Sequence, residues 1–150
     1  MDASAAGAAR LMAALNEAVR DFQSYGYEQF LTHQGGVSPR YGGTLTPAVH
    51  PMAVVGVTFG LRGGPRSGEG REASISVSVA LRDEMFVVEG EAGADPLHPG
   101  EADEPWEYLR ELPEVGVWDL DECIALIRDY TAQLCAYTGF LDDLGVPRTS

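Results

Sequence analysis

The side chains best suited to proton transfer or metal binding near neutral pH are three histidines, His33, His50 and His98, and each stands alone in the sequence. No HxH or HExxH pair is present to hold a metal between two imidazoles. Asp95, His98, Glu101 and Asp103 place four donors within nine residues, but Pro96 and Pro99 interrupt them and the spacing matches no known site. A solvated loop is the expectation there, with no metal and no cofactor assigned. Ser67 and Ser74 lack the GxSxG context of a nucleophile elbow. Cys123 and Cys135 fall in one helical segment, where a rise of 1.5 Å per residue sets them about 18 Å apart. A disulfide needs Cα atoms within about 7 Å, so the two are expected as free, buried, small apolar side chains.

The glycine-rich stretch from Gly60 to Arg71 lacks the GKS or GKT ending of a phosphate loop, and it joins a strand to a strand where a phosphate loop opens a helix. A hairpin loop is expected, with Arg62, Arg66 and Arg71 as the most basic patch of the chain. No catalytic residue is assigned, so a non-enzymatic role is the leading expectation.

Charge is the strongest chemical signal. The formal net charge is −13, and all 10 basic residues are arginine. Between Asp83 and Glu122 lie the acids Asp83, Glu84, Glu89, Glu91, Asp95, Glu101, Asp103, Glu104, Glu107, Glu111, Glu114, Asp119, Asp121 and Glu122, against the single base Arg110. The remaining acids and arginines balance, so the whole net charge belongs to that segment. Such a field repels nucleic acid and accelerates encounter with basic partners. Trp106, Tyr108 and Trp118 lie among these acids, and aromatic anchors inside a charged rim are common at protein interfaces. The candidate partner-binding residues are Glu101, Asp103, Glu104, Trp106, Glu107, Tyr108 and Glu111. Trp118, beside a capped helix, is expected in the core.

The elements that must position these residues follow from periodicity. Ala8, Leu11, Leu15, Val19 and Phe22 recur at helical spacing and predict a helix over 4–25, started by Asp2 or Ser4 and left at Gly26. Residues 27–51 read as mostly irregular, with a short strand at 44–46. Alternation predicts strands at 53–62, 72–81 and 85–91; in the second, Ala73, Ile75, Val77, Val79 and Leu81 share one face and Ser74, Ser76, Ser78 and Ala80 a solvated one. Trp106, Leu109 and Leu112 predict a helical turn, and 115–118 a short strand. Asp119 and Glu122 form a capping pattern for a final helix over 120–143, whose stripe includes Ile124, Ile127, Thr131 and Leu134 and which ends at Gly145-Val146-Pro147.

With 150 residues, 45% hydrophobic and 22% charged, the chain is expected to form one α+β domain over 1–150. The predicted fold is an antiparallel β-meander of three to five strands packed on one face by an N-terminal and a C-terminal helix. Ile75, Val77, Val79, Ile127 and Leu134 are expected in the core. No basic region leads into an apolar run at the N-terminus and no apolar window is long enough to span a bilayer, so a cytoplasmic location without membrane association is expected. The leading functional expectation is an acidic binding partner of a protein with a basic surface, in an immunity or antitoxin-like or a client-chaperone-like role. Folding alone or as a small oligomer such as a homodimer fits the composition. The alternative is a small enzyme or ligand-binding domain using a cavity between sheet and helices, with Tyr130, Tyr137 and His50 as its polar groups.

Overall fold

The alternation of β-branched and small residues between Met52 and Ala94 is realised as three hydrogen-bonded strands, and a further strand lies on either side of them. The computed structural model describes residues 3–33, 37–46, 51–61, 71–95 and 107–149. In chain order these form helix α1 (Ala3–Thr32), strands β1 (Val37–Thr46), β2 (Met52–Leu61), β3 (Glu72–Arg82), β4 (Met85–Ala94) and β5 (Glu107–Val117), helix α2 (Leu120–Cys135) and the short helix α3 (Phe140–Asp143). The strands build one antiparallel sheet in the order β1-β2-β3-β4-β5. This is the α+β meander that the patterning predicts. Among the described residues no helix is long and apolar enough to cross a membrane.

Register puts Val55 opposite Val77 and Val79 opposite Val88, so apolar positions of neighbouring strands share one face. Both long helices pack on that face, α1 over β1 and β2, and α2 over β3, β4 and β5. Between the layers lie Phe22, Phe59, Phe140, Ile75, Ile127, Leu134, Val57, Val77 and Val88, all fully buried. Each such side chain contributes about 1.5–3 kcal/mol on leaving water. The rings of Tyr25, Phe59, Phe140 and Tyr137 meet in sequence at centroid distances of 6.3, 6.3 and 5.5 Å and tie the carboxy-terminal segment to α1 and β2. The five expected core residues, Ile75, Val77, Val79, Ile127 and Leu134, are all buried. Asp119 caps α2 by accepting the Glu122 N–H at 3.3 Å, as its spacing implies.

Several boundaries differ from the sequence expectation, each for a physical reason. Helix α1 runs through Gly26 to Thr32, because Phe22, Tyr25, Gln29 and His33 continue the buried stripe for two further turns. Burial of that face outweighs the helix-breaking tendency of one glycine, about 1 kcal/mol. Strand β1 has ten residues where a short strand was expected. The helical turn predicted around Leu109 and Leu112 is instead part of β5. The final helix stops at Cys135 and resumes as α3 after Thr138 and Gly139. Trp118 is 67% exposed and not in the core, since it lies in the bend between β5 and α2. The β3–β4 connection is a two-residue turn in which Asp83 and Glu84 both adopt positive φ, 51° and 64°, the primed geometry that matches strand twist.

Candidate functional site

With both helices on one side, the opposite face of the sheet carries the remaining alternate residues. Across it, Gly56 of β2 stands beside Ser76 of β3, Ser76 beside Glu91 of β4, and Glu91 beside Glu111 of β5. One row away Val54, Ser78 and Glu89 align, and on the other side Thr58, Ser74, Gly93 and Tyr108. The face therefore grades from small, neutral residues at its centre to carboxylates at β4 and β5. The three serines are half-buried, so the expectation of simple solvation holds only in part.

Strand geometry creates the carboxylate group. Glu89 and Glu91 are two positions apart and so share a face. Glu111 lies directly opposite Glu91, a like-charged cross-strand pair, which is the unfavourable arrangement for a sheet. Opposite Glu89, a bulge in β5 inserts an extra residue, where Pro113 and Glu114 sit. The acids Glu89, Glu91, Glu111 and Glu114 line, with Tyr108, a groove of about 410 Å³. That volume is at the lower end for small-molecule clefts, yet such clefts are mainly apolar and this one is walled by carboxylates.

The electrostatics of the groove follow from who is paired. Burial, the Glu89 charge and the Glu111 charge together push the Glu91 carboxyl above its ordinary value of 4.5. Ser78 donates to Glu89 Oε1 at 3.4 Å, and Arg82 reaches Glu114 at 3.4 Å. Among the described residues, no cation pairs with Glu89, Glu91 or Glu111. Arg110, the single base in the acidic segment, lies opposite Ala92 on the helix-covered side, its guanidinium 4.4 Å from the centre of the Tyr137 ring.

The sequence-predicted residues divide accordingly. Glu111 and the 52% exposed Tyr108 belong to the groove. Glu107 faces away from it and pairs at 3.4 Å with the buried Arg71, whose Nε donates to the Asp95 carbonyl at 2.8 Å. That pairing is structural, because an unpartnered buried guanidinium would be costly. Glu101, Asp103, Glu104 and Trp106 lie outside the described residues, as do His50, His98 and the loop carrying Arg62 and Arg66. Glu89 and Glu91 lie outside the candidate set read from the sequence, although their two-residue spacing within the strand predicted over 85–91 puts them on one face.

Tyr130 and Tyr137, the described polar groups of the alternative reading, make hydrogen bonds within the fold. Tyr130 donates to the Pro113 carbonyl at 2.5 Å, Tyr25 donates to the Tyr137 carbonyl at 2.7 Å, and Tyr137 bonds Asp143. Burial pushes the Tyr137 phenol up to about 12, with the Asp143 hydrogen bond adding to the shift. Burial likewise raises the Cys123 thiol to about 11 and the Cys135 thiol to about 12, where Asp21 and Glu28 add to it, so both remain protonated and weakly nucleophilic. His33 is buried, with Nδ1 2.8 Å from Thr32 Oγ1 and Nε2 3.0 Å from Asp142 Oδ1. Arg148 holds Asp142 through two hydrogen bonds of 2.8 and 2.5 Å, and this cluster locks the last residues onto the end of α1, where Thr149 donates to the Thr32 carbonyl. Among the described residues no group of three His, Cys, Asp or Glu side chains has metal-binding geometry. No family model, curated protein or solved structure matches the chain.

Proposed function

We propose that this chain is a non-enzymatic interaction module and that the β4–β5 side of the sheet face opposite the helices docks a protein with a basic surface. The observation that carries the reading is the Glu89, Glu91 and Glu111 group: three carboxylates on one face of the sheet, where burial and the charges of Glu89 and Glu111 raise the proton affinity of Glu91, with no cation of the described residues paired with them. Mutual repulsion costs folding free energy, and a guanidinium or ammonium from a partner would relieve it on binding. Tyr108 offers an aromatic contact next to that charge. The close packing of aromatic and aliphatic side chains between sheet and helices supports this reading over a ligand cavity there. The roles that suit an acidic docking face include masking a toxin's cationic cleft and holding a basic client.

The test is capture from the source cell with the wild-type chain and with Glu89→Arg/Glu91→Arg/Glu111→Arg, alongside Asp129→Arg on the exposed side of α2. The wild type and the Asp129 variant are expected to retain the same basic protein, and the triple variant to lose it while keeping its thermal midpoint within a few degrees. Equal capture by the triple variant overturns the reading.

A further inference from the structure

The two edges of the sheet are built differently. Strand β5 bears two bulges and the charged residues Glu107, Arg110, Glu111 and Glu114, devices that blunt an edge against further strands. Strand β1 pairs with β2 over ten consecutive residues without a bulge, and it contains no acid. Leu61 donates its N–H to Arg71 beside β3, so the odd positions of β2 bond toward β3 and its even positions toward β1. In β1 the even positions are therefore those paired with β2, and the backbone groups of Val37, Tyr41, Gly43 and Leu45 face outward. Pro39 lies in the outward set, where its missing N–H costs β2 nothing.

The helix above this edge has the same character. Arg10 and Glu17 of α1 pair with Asp121 and Arg128 of α2, and Asp21 and Glu28 line a groove with Thr131 and Cys135. At about 100° per residue all three acids of α1 thus lie on its α2 side. The opposite flank, which overhangs β1, carries Ala9, Met12, Asn16, Val19, Tyr27 and Phe30, with no acid. Met12 is 69% exposed, Tyr27 57% and Phe30 36%. In a chain of net charge −13, an acid-free flank that joins an edge with no further strand beside it among the described residues to exposed apolar side chains is where two copies can meet without repulsion.

We infer that the α1–β1 flank binds a second copy of this chain about a two-fold axis, with β1 pairing antiparallel to its counterpart so that the two sheets become one ten-stranded sheet. Centring the pair on Gly43 sets Tyr41 opposite Leu45 of the partner and leaves Pro39 beyond the ladder. The α1 flanks then face each other across the axis and cover Met12 and Phe30. The acidic grooves lie at the two far ends of the joined sheet, so each remains free for its own occupant. This arrangement is independent of what the grooves bind.

Sedimentation and light scattering of the full chain at about 100 µM, where a dimer of micromolar affinity is almost fully associated, are expected to give twice the 16.1 kDa chain mass. Met12→Glu/Phe30→Glu puts two like charges per copy on the axis and is expected to weaken association at least about tenfold with unchanged circular dichroism. Gly42→Cys/Thr44→Cys places these residues opposite each other across the axis, about 4.5 Å apart between Cα atoms, and is expected to give a covalent dimer on oxidation, whereas Thr44→Cys alone does not. A wild-type monomer at that concentration, a dimer indifferent to the Met12 and Phe30 charges, or a double-cysteine variant that stays monomeric overturns the inference.

Discussion

Replacing Glu111 by glutamine removes one of two carboxylates that face each other across the β4–β5 ladder, and the proposed docking face requires that this make the fold more stable. Directly opposed like charges in a sheet cost about 0.2–1 kcal/mol. The upper half of that range applies here, because Glu89 on the same face adds to the repulsion and Glu91 is partly buried. The pH dependence has a definite sign. Glu91 holds its proton more tightly in the folded chain than in the unfolded one, so its favourable contribution is complete below the ordinary value of 4.5 and is lost as pH rises through the higher folded value. Glu111→Gln lowers that folded value, and its gain of about 0.5–1 kcal/mol is therefore present near pH 7.5 and much smaller near pH 4, below the ordinary value of 4.5, where Glu91 mostly carries its proton. Urea titrations at the two pH values measure the difference, and carboxyl-carbon NMR of Glu91 follows its proton directly. A loss of stability at pH 7.5, or an equal gain at both pH values, refutes the reasoning. The same substitution should weaken partner binding, so a position where stability and binding respond in opposite directions is expected.

Three further outcomes follow from the packing. Leu134→Ala empties a fully buried site against β4 and is expected to cost about 2–5 kcal/mol in a denaturant titration. Gly56→Ala sets a methyl group 2.1 Å from the Ile75 carbonyl oxygen and 2.8 Å from the Ser76 Cα, so the β2 and β3 backbones must part and a loss of about 1–3 kcal/mol in the same assay is expected. The hydrogen bonds from Arg148, with further help from His33, hold the Asp142 carboxyl below its ordinary 3.8, so this group stabilises the fold above that value and ceases to as pH falls through the lower folded one. Asp142→Asn is accordingly expected to lower the thermal midpoint at pH 7 and to flatten the stability profile in acid.

The meander was legible because β2 and β3 alternate residue types cleanly and bury one face only. The α2 start was legible because an aspartate precedes a carboxylate by three positions ahead of an apolar stripe. Strand β5 was not legible, for a geometric reason. Its partly buried residues Leu109, Leu112, Val115 and Val117 are spaced by three, three and two, because each bulge adds a residue to the strand's two-residue period. A bulged strand therefore imitates a helix in one dimension. Strand β1 was obscured by Pro39, which an edge strand tolerates on its outward side, and by the Gly42-Gly43 pair, which leaves no side chains to show alternation. The excess of acid was plain in the sequence, but its focus was not: the two-strand juxtaposition of Glu91 with Glu111 depends on the β4–β5 register, and that register depends on the bulges.

The most direct test of the docking account is the association rate of the captured basic protein with the wild-type chain and with Glu89→Gln/Glu91→Gln/Glu111→Gln, at ionic strengths of about 0.02 and 0.2 M. The account predicts a wild-type rate that falls about tenfold or more between the two salt conditions, and a variant whose rate is low and nearly salt-independent. A wild-type rate that does not change with salt, or a variant as fast as the wild type at low salt, would contradict it.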